Sequence, residues 1–406
     1  MVRAGAVAVT TMVLALIGAD AAQGATRVVD NDRAQCPAAA YTTIQAAVNA
    51  AAPSDRISVC PGSYREQVWI RPGKEGVVVE ASKRRAATIL APRQFTGLPR
   101  AIVVAQAARS VVRGFRILGP LPAYATCNDP IFTHDAGVQI GGALVKIEDN
   151  QIYDIRDNCG HGDGIWAGDA QDELGHQFGA NGAVVRGNLI AQYRERAIVV
   201  ESIDPARPVR IVDNEIAGAQ SRPTIGIFNG QQGSVDVEHN FIHSNRKVGI
   251  WLTGGINTGD HTVRDNRIRG NGLGIDVGGE GGSLIADNDI SSSRSHGIVD
   301  RSTFGGSRIL RNVVRDNNGS GLLLEGANGS ALHASAVTGN QALRNRGDGI
   351  RVEGANYNLT RNSASRSIGR DCRDTSGPGG PGTLGTFNVW TDNRGKTSSP
   401  AGLCRP

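Results

Sequence analysis

The sequence predicts an all-β fold, a solenoid of parallel strands wound into roughly 10–12 coils. Three observations carry that prediction. A frame of one apolar residue, two variable residues, Asn, one variable residue and Ile or Val recurs along the chain. It stands at Ile147/Asn150/Ile152, Val185/Asn188/Ile190, Ile211/Asn214/Ile216 and Val237/Asn240/Ile242, then at Val263/Asn266/Ile268, Ile285/Asn288/Ile290 and Ile309/Asn312/Val314. Degraded copies follow around Asn340 and Asn362, and the Asn spacings after Asn188 run 26, 26, 26, 22, 24, 28 and 22. In phase with this frame, a second column returns to Gly-Ile or an equivalent, at Gly164-Ile165, Ala197-Ile198, Gly226-Ile227, Gly249-Ile250, Gly274-Ile275, Gly297-Ile298, Gly321-Leu322 and Gly349-Ile350. Finally, the 54 glycines fall in phase with the repeats while aromatics make up only 4%, so glycine supplies turns and the core is aliphatic.

Each repeat reads as a strand, a tight Asn turn, a short strand, a variable loop and a third strand. Alternating Val and Ile suit pleated structure with one face inward. Coils of this length close on themselves, and stacked coils pair strand to strand at roughly 4.8 Å around a continuous apolar column. Asn at the turn tolerates left-handed backbone angles and bonds neighbouring backbone, and stacked on its equivalents it forms an amide ladder.

The two ends read differently. The opening MVRAGAVAVTTMVLALIGADAAQGA has a basic residue, an apolar run and small residues, the pattern of a signal peptide over residues 1–24. A secreted or cell-envelope location is therefore expected, and no segment is long enough for a membrane span. Six cysteines suit that compartment, and sequence organisation favours Cys36–Cys60, Cys127–Cys159 and Cys372–Cys404. No C-x-x-C spacing points to a metal instead. Between the first pair, Ile44, Ala47, Val48 and Ala51 form a helical stripe, the expected N-terminal capping helix over the open strand edges. One elongated unit is expected over 25–370, with a Gly/Pro-rich capping tail over 371–406.

The net charge of +5 suits an acidic partner. Basic residues are interspersed with acidic ones and no nucleic-acid motif is present, so no nucleic acid is expected. A monomer is the expected state.

With its Asn ladder, the chain from about Thr43 to Asn362 resembles the right-handed parallel β-helix superfamily, the pectate-lyase-like or pectin-lyase fold. That resemblance implies a groove for an extended polysaccharide, walled by the long loops before the Gly-Ile sheet. Here the longest loops precede Gly137, Gly164, Ala197 and Gly226. Alternation places Gln139, Trp166, Val199, Phe228, Trp251, Asp276, Val299, Leu323 and Arg351 in one outward column. Glu201, Thr253, Arg301, Glu325 and Glu353 fall in a second. Trp166, Phe228 and Trp251 offer faces on which sugar rings stack, or else a satellite core under the loops. Arg194 and Asp276 complete the expected substrate-binding set.

Asp163 and Arg196 occupy equivalent places one coil apart, as do His161 and Arg194, and Glu201 lies just down the strand. Arginine suits a uronate carboxylate through paired hydrogen bonds. Asp163 and Glu201 are candidate acid and base, His161 a proton relay and Arg196 a charge neutraliser. As a bland alternative, Asp163 is a turn residue, since GDGI also occurs at Gly347–Ile350, and its pairing with arginine an ordinary salt bridge. Gly160-His161-Gly162 matches the G-H-G element of polygalacturonases, without their Asp-Asp pair nearby. Alginate epimerases carry D-P-H-D, where this chain has Phe132-Thr133-His134-Asp135. Pectate lyases bind Ca²⁺ through carboxylates, for which Asp163, Asp169, Asp172 and Glu173 are the local candidates. The cofactor is unknown, with no clear Ca²⁺ site among them. The resemblance thus implies a lyase-like enzyme on an acidic polysaccharide, with a noncatalytic glycan-binding or envelope scaffold as the alternative, and a hydrolase or epimerase after it.

Overall fold

A coil of three short strands satisfies none of its own backbone hydrogen bonds across the strand; each rim must be met by the next coil. The computed structural model of the chain meets that requirement as a right-handed parallel β-helix. It describes residues 24–406 apart from 96–97, 125–126, 128–134, 169, 172–176, 202–203, 205, 220, 231–232, 254–260, 280–281, 304 and 327–332. The expected signal peptide lies outside the described residues. Three parallel sheets, A, B and C, run the length of the stack with 14, 12 and 13 strands. There are slightly more coils than the Asn spacing predicts, because the earliest coils keep the apolar column without the Asn frame. In sheet A that column runs in register through Ile57, Val79, Val112, Ile147, Val185, Ile211, Val237, Val263, Ile285 and Ile309, all fully buried. At roughly 1.5–3 kcal/mol for each buried Val or Ile, this column is a leading source of stability.

Beside it stands the Asn ladder, at the corner between sheets A and B. The backbone N–H and the side-chain Nδ2 of Asn188 both donate to Oδ1 of Asn214, at 2.9 and 3.0 Å, and Nδ2 also donates to the carbonyl of Ile147 at 2.9 Å. The same bonds repeat from Asn150 through Asn362 to Asn393. These amides are buried yet satisfied on every side, the condition under which buried polar groups rigidify a core. The left-handed angle expected at the Asn falls instead on the residue before it: Asp149, Asp213, His239, Asp265, Asp287 and Arg311 have φ between 53° and 57°. The Asn must stay in strand register to bond its equivalents, so its neighbour takes the bend. A second, shorter ladder that the frame does not predict runs five residues on, where Asn245 donates to Asn271 and Asn317 to Asn345.

At the start of the stack, the helix Ile44–Ala50 buries Ile44, Ala47 and Val48, with Thr43 as N-cap. Gln45 pairs with the backbone of Trp69 in the first strand of sheet C, accepting from its N–H at 2.6 Å and donating to its carbonyl at 3.2 Å. It stands in for a neighbouring strand on an otherwise open edge. At the other end, strands Cys372–Asp374 and Val389–Thr391 extend sheets C and A. The indole N–H of Trp390 donates to Asp374 at 2.8 Å. All three disulfides form as the sequence organisation favours: Cys36–Cys60, Cys127–Cys159 and Cys372–Cys404.

Candidate functional site

Sheet C carries the long loops, and its strands place one outward residue per coil in strict register. That column runs Trp69, Val104, Gln139, Trp166, Val199, Phe228, Trp251, Asp276, Val299, Leu323 and Arg351. The order from Gln139 onward is the one alternation predicts. The column's surroundings change along the rod. Near its start, Trp69, Ala101, Val104 and Ala136 form a small buried cluster outside the helix, with half-buried Trp166 against it. The Arg71 guanidinium lies 3.6 Å above the Trp69 ring. Further on, Phe228 and Trp251 meet edge to face at 5.3 Å, both half-buried. The two readings of the aromatics therefore divide by position: a satellite core around Trp69, a partly open aromatic floor at Phe228 and Trp251.

Between these regions lies the expected constellation. Arg196 grips Asp163 bidentately, Nε to Oδ1 and Nη2 to Oδ2, both at 3.0 Å. Their side chains are only 12% and 2% exposed, so the pair is largely desolvated. Burial pulls the Arg196 pKa down, but the charge and hydrogen bonds of Asp163 outweigh it and leave the guanidinium above its usual value. Glu195 stands 3.5 Å from Arg196, and the guanidinium lies 5.5 Å from the Phe228 ring centre. Glu201 accepts from the indole N–H of Trp166 at 3.1 Å. One contiguous surface thus joins Asp163, Arg196, Glu201, Trp166 and Phe228, and Trp251 and Asp276 continue it in register.

His161 and Arg194 stand at its rim. Nδ1 of His161 lies 3.1 Å from Oδ2 of Asp157, whose Oδ1 accepts the backbone N–H groups of Cys159, Gly160 and His161 at 2.7–2.9 Å. The histidine is tied to its own disulfide-bonded loop. Arg194 passes Gly160 so closely that a Cβ there would sit 3.7 Å from Nη2. Its half-exposed guanidinium has no hydrogen bond or ion pair among the described residues, leaving its charge to face solvent or a ligand. Asp276 pairs with Arg301, which also reaches Glu325 at 2.8 Å. Burial pushes the Asp276 carboxyl up, partly offset by Arg301.

Sequence reasoning missed a neighbouring triad. Oδ1 of fully buried Asp135 accepts from Nε of Arg100 at 2.9 Å and from the Tyr124 hydroxyl at 2.7 Å, while the Arg100 guanidinium stacks 3.9 Å over Tyr124. Burial raises the Asp135 carboxyl, with Arg100 and Tyr124 opposing. The carbonyl of Asp135 accepts the Asp163 N–H at 2.9 Å, fixing the two layers together. The available signal was positional: Arg100 and Asp135 precede the paired Ala101 and Ala136, an Arg–Asp step one coil before Asp163 and Arg196. Gln139, 1% exposed and beside Trp166 in register, has neither amide atom hydrogen-bonded among the described residues.

The Ca²⁺ candidates Asp169, Asp172 and Glu173 lie outside the described residues, as does His134. Among the described residues, one group of His, Cys, Asp or Glu brings its ligand atoms together, Asp30 with Cys36 and Cys60, and both thiols are consumed in a disulfide.

Comparison with known proteins agrees on the fold. Residues 202–365 match the family model described as right handed beta helix region. No curated protein sequence matches the chain. Among solved structures, the complex of XylC with xylose superposes with a TM-score of 0.59 at 13% identity, covering 93% of this chain and 85% of that one. The Dettilon tailspike protein gives 0.52 at 12% identity, covering 87% and 67%. The periplasmic alginate epimerase AlgG gives 0.51 at 12% identity, covering 84% and 76%. At such identities the likeness establishes the right-handed parallel β-helix, whose activities are set by surface residues and vary.

Proposed function

We propose that the protein binds an acidic polysaccharide along the outer face of sheet C and acts on it in a lyase-like manner. The observation that carries this reading is the placement of Arg196 beside Phe228 on the face that also carries Trp166 and Trp251, with Arg194 at its rim. Guanidinium groups there receive uronate carboxylates, and the ring faces receive the apolar sides of sugars. With the carboxylate neutralised, a base removes the adjacent C–H proton, the bond to the leaving oxygen breaks, a C=C bond forms, and an acid protonates the leaving oxygen. Glu201 and Asp163 are assigned these proton transfers. Asp163 serves them only if substrate draws Arg196 away, since both its oxygens are bonded to that arginine. This engagement favours a second reading, noncatalytic glycan binding, in which Asp163 only positions Arg196. An extracytoplasmic site of action fits the three disulfides. No described helix is long and apolar enough to cross a membrane.

The test is a panel of uronate polymers, read by absorbance of the unsaturated product and by reducing ends. Glu201→Gln and Asp163→Asn are expected to abolish turnover while leaving binding largely intact. Binding without any product selects the noncatalytic reading. Binding that ignores salt and both arginines removes the acidic polymer from the account.

A further inference from the structure

The charge of the chain is concentrated at one end. Residues 361–406 hold seven Lys and Arg against three Asp, a net +4, where the whole chain carries +5. Two of the three carboxylates are withdrawn from the surface. Asp371 accepts the backbone N–H of Lys396 at 2.8 Å and of Thr397 at 3.3 Å. Asp374 accepts the indole N–H of Trp390 and the amide of Asn388. Arg361, Arg366, Arg370, Arg394, Lys396 and Arg405 are all exposed, and among the described residues none of their charged groups has an ion-pair partner.

The middle of the rod shows what is missing there. Two turn arginines beside the ladders are each neutralised by the equivalent acid one coil earlier: Arg311 pairs with Asp287 at 2.6 Å and Arg344 with Asp316 at 2.7 Å. Arg366 follows Arg344 in its column with the same left-handed backbone and no ion-pair partner among the described residues. Arg361 comes two rungs after Arg311, beyond Gly339, and has Asp392 at the equivalent place one coil on without an ion pair to it. The cations then gather in two clefts flanking Ser363–Ser365, the last strand of sheet B. One cleft, of about 850 Å³, holds Arg366, Arg370, Arg373 and Lys396 against two buried carboxylates, Asp371 and Asp348, the latter 3.8 Å from Arg373. The other, of about 720 Å³, holds Arg361, Arg394 and Arg405 against Asp392, with Gln341 and Ser363 as neutral hydrogen-bonding groups.

We propose that this C-terminal end is a second docking surface for an acidic polysaccharide, its carboxylate or sulfate groups seated on the arginines of the two clefts and its hydroxyls on the neighbouring Ser and Gln. Paired guanidinium donors suit planar or tetrahedral oxyanions. Neither cleft is lined by an aromatic residue, so nothing is provided for stacking bases, which argues against single-stranded nucleic acid. The cations line concavities and Ile368 alone is apolar among the lining residues of the first cleft, which argues against a flat lipid surface. The surface lies seven strands from the strand holding Arg196, about 34 Å at the usual strand spacing. A long polymer can therefore be held at both places on one rigid rod, raising avidity without new contacts at the groove. Only the polymer class is shared with the proposed groove; the residues are separate.

The experiment uses the full chain and labelled polygalacturonate and heparin at low salt. The variant R361A/R366A/R370A/R394A is expected to lose about tenfold in affinity for long polymers, the sum of four exposed charge contacts. Short oligomers should be affected much less, and R366K/R370K should keep binding. Thermal melting within a few degrees of the parent shows that the fold is intact, as expected for side chains outside the core. Unchanged affinity in the quadruple variant, with all the loss in R194A/R196A, overturns this inference and leaves the groove standing. Tighter binding to single-stranded DNA or to phosphatidylglycerol vesicles than to the polymers overturns the assigned partner.

Discussion

From Trp69 to Trp251 the outer column of sheet C is aromatic and aliphatic apart from one buried amide, and Asp163 and Arg196 beside it are almost fully desolvated. From Asp276 onward the same face turns ionic: Arg301 sits between Asp276 and Glu325, and Arg351 pairs with Glu353, all more open to solvent. The coil architecture is the same in both halves, though the sheet C strands shorten from five or six residues to three or fewer from Ile298 onward. What differs is desolvation, and that decides what an Arg–carboxylate pair can do. In water such a pair contributes little and is screened by salt. Under loops and against aromatic rings it becomes specific and costly to break. The second half therefore serves as a built-in control for the first.

Disturbing what the halves share should have the largest effect. Val237→Asp places an unpaired charge in the common apolar column and is expected to cost about 3–5 kcal/mol, melting both halves together. A melting midpoint like the parent's would contradict the stacked-column account. Removing one arginine from each half sharpens the contrast. Arg196→Ala strands the buried Asp163 carboxylate, for an expected loss of about 2–3 kcal/mol in denaturant unfolding. Arg301→Ala should cost under about 1 kcal/mol, because that side chain is 44% exposed. Equal losses would mean that the front pair is no better shielded than the rear one.

The aromatic floor gives a smaller signal. Trp251→Ala is expected to weaken polymer binding by about 1 kcal/mol without changing its salt dependence, since ring stacking is not ionic. Arg351→Ala should leave binding unchanged, and a reversal of that order would move the groove to the ionic half. The smallest effect concerns pH. Burial holds the Asp135 carboxyl above its ordinary 3.8, so the folded state keeps a proton that the unfolded chain has lost. Its contribution is full below the ordinary value and is lost as pH rises through the raised one. The melting temperature of Asp135→Asn relative to the parent should accordingly become more favourable between about pH 3.5 and neutrality. A difference independent of pH would show that Arg100 and Tyr124 cancel the effect of burial.

The interior was legible because its rules repeat. Ile147, Asn150 and Ile152 obey the same constraint as Ile285, Asn288 and Ile290, so each copy corroborates the others. The outer column could be written down from alternation, and Asp163, Arg196 and Glu201 do lie on one surface. The site's chemistry was less legible, because it depends on what each group bonds rather than where it stands. His161 shares a loop with Asp163 yet is bound to Asp157. Arg100 and Asp135 hold equivalent places one coil apart but outside the Asn frame, and Tyr124 belongs to no repeat, so only the fold brings the three together. The second ladder escaped because its positions mix Asn with Ser, as where Ser293 donates to Asn317, which blurs the spelling without breaking the bond.

The Asn ladder also makes the length of this rod a whole number. Asn188, Asn214, Asn240 and Asn266 follow one another at intervals of 26 residues, each bonded to the next in the same way. Excising one full interval joins two equivalent rungs and leaves every remaining amide a partner. Excising half an interval sets a turn against a strand and orphans the rungs on both sides. Growth and shrinkage of such a molecule therefore proceed by single coils, and each lost or gained coil moves the Arg196 surface and the cationic end apart or together by one strand spacing. The separation between two sites becomes an inheritable, countable quantity, adjustable without touching either of them.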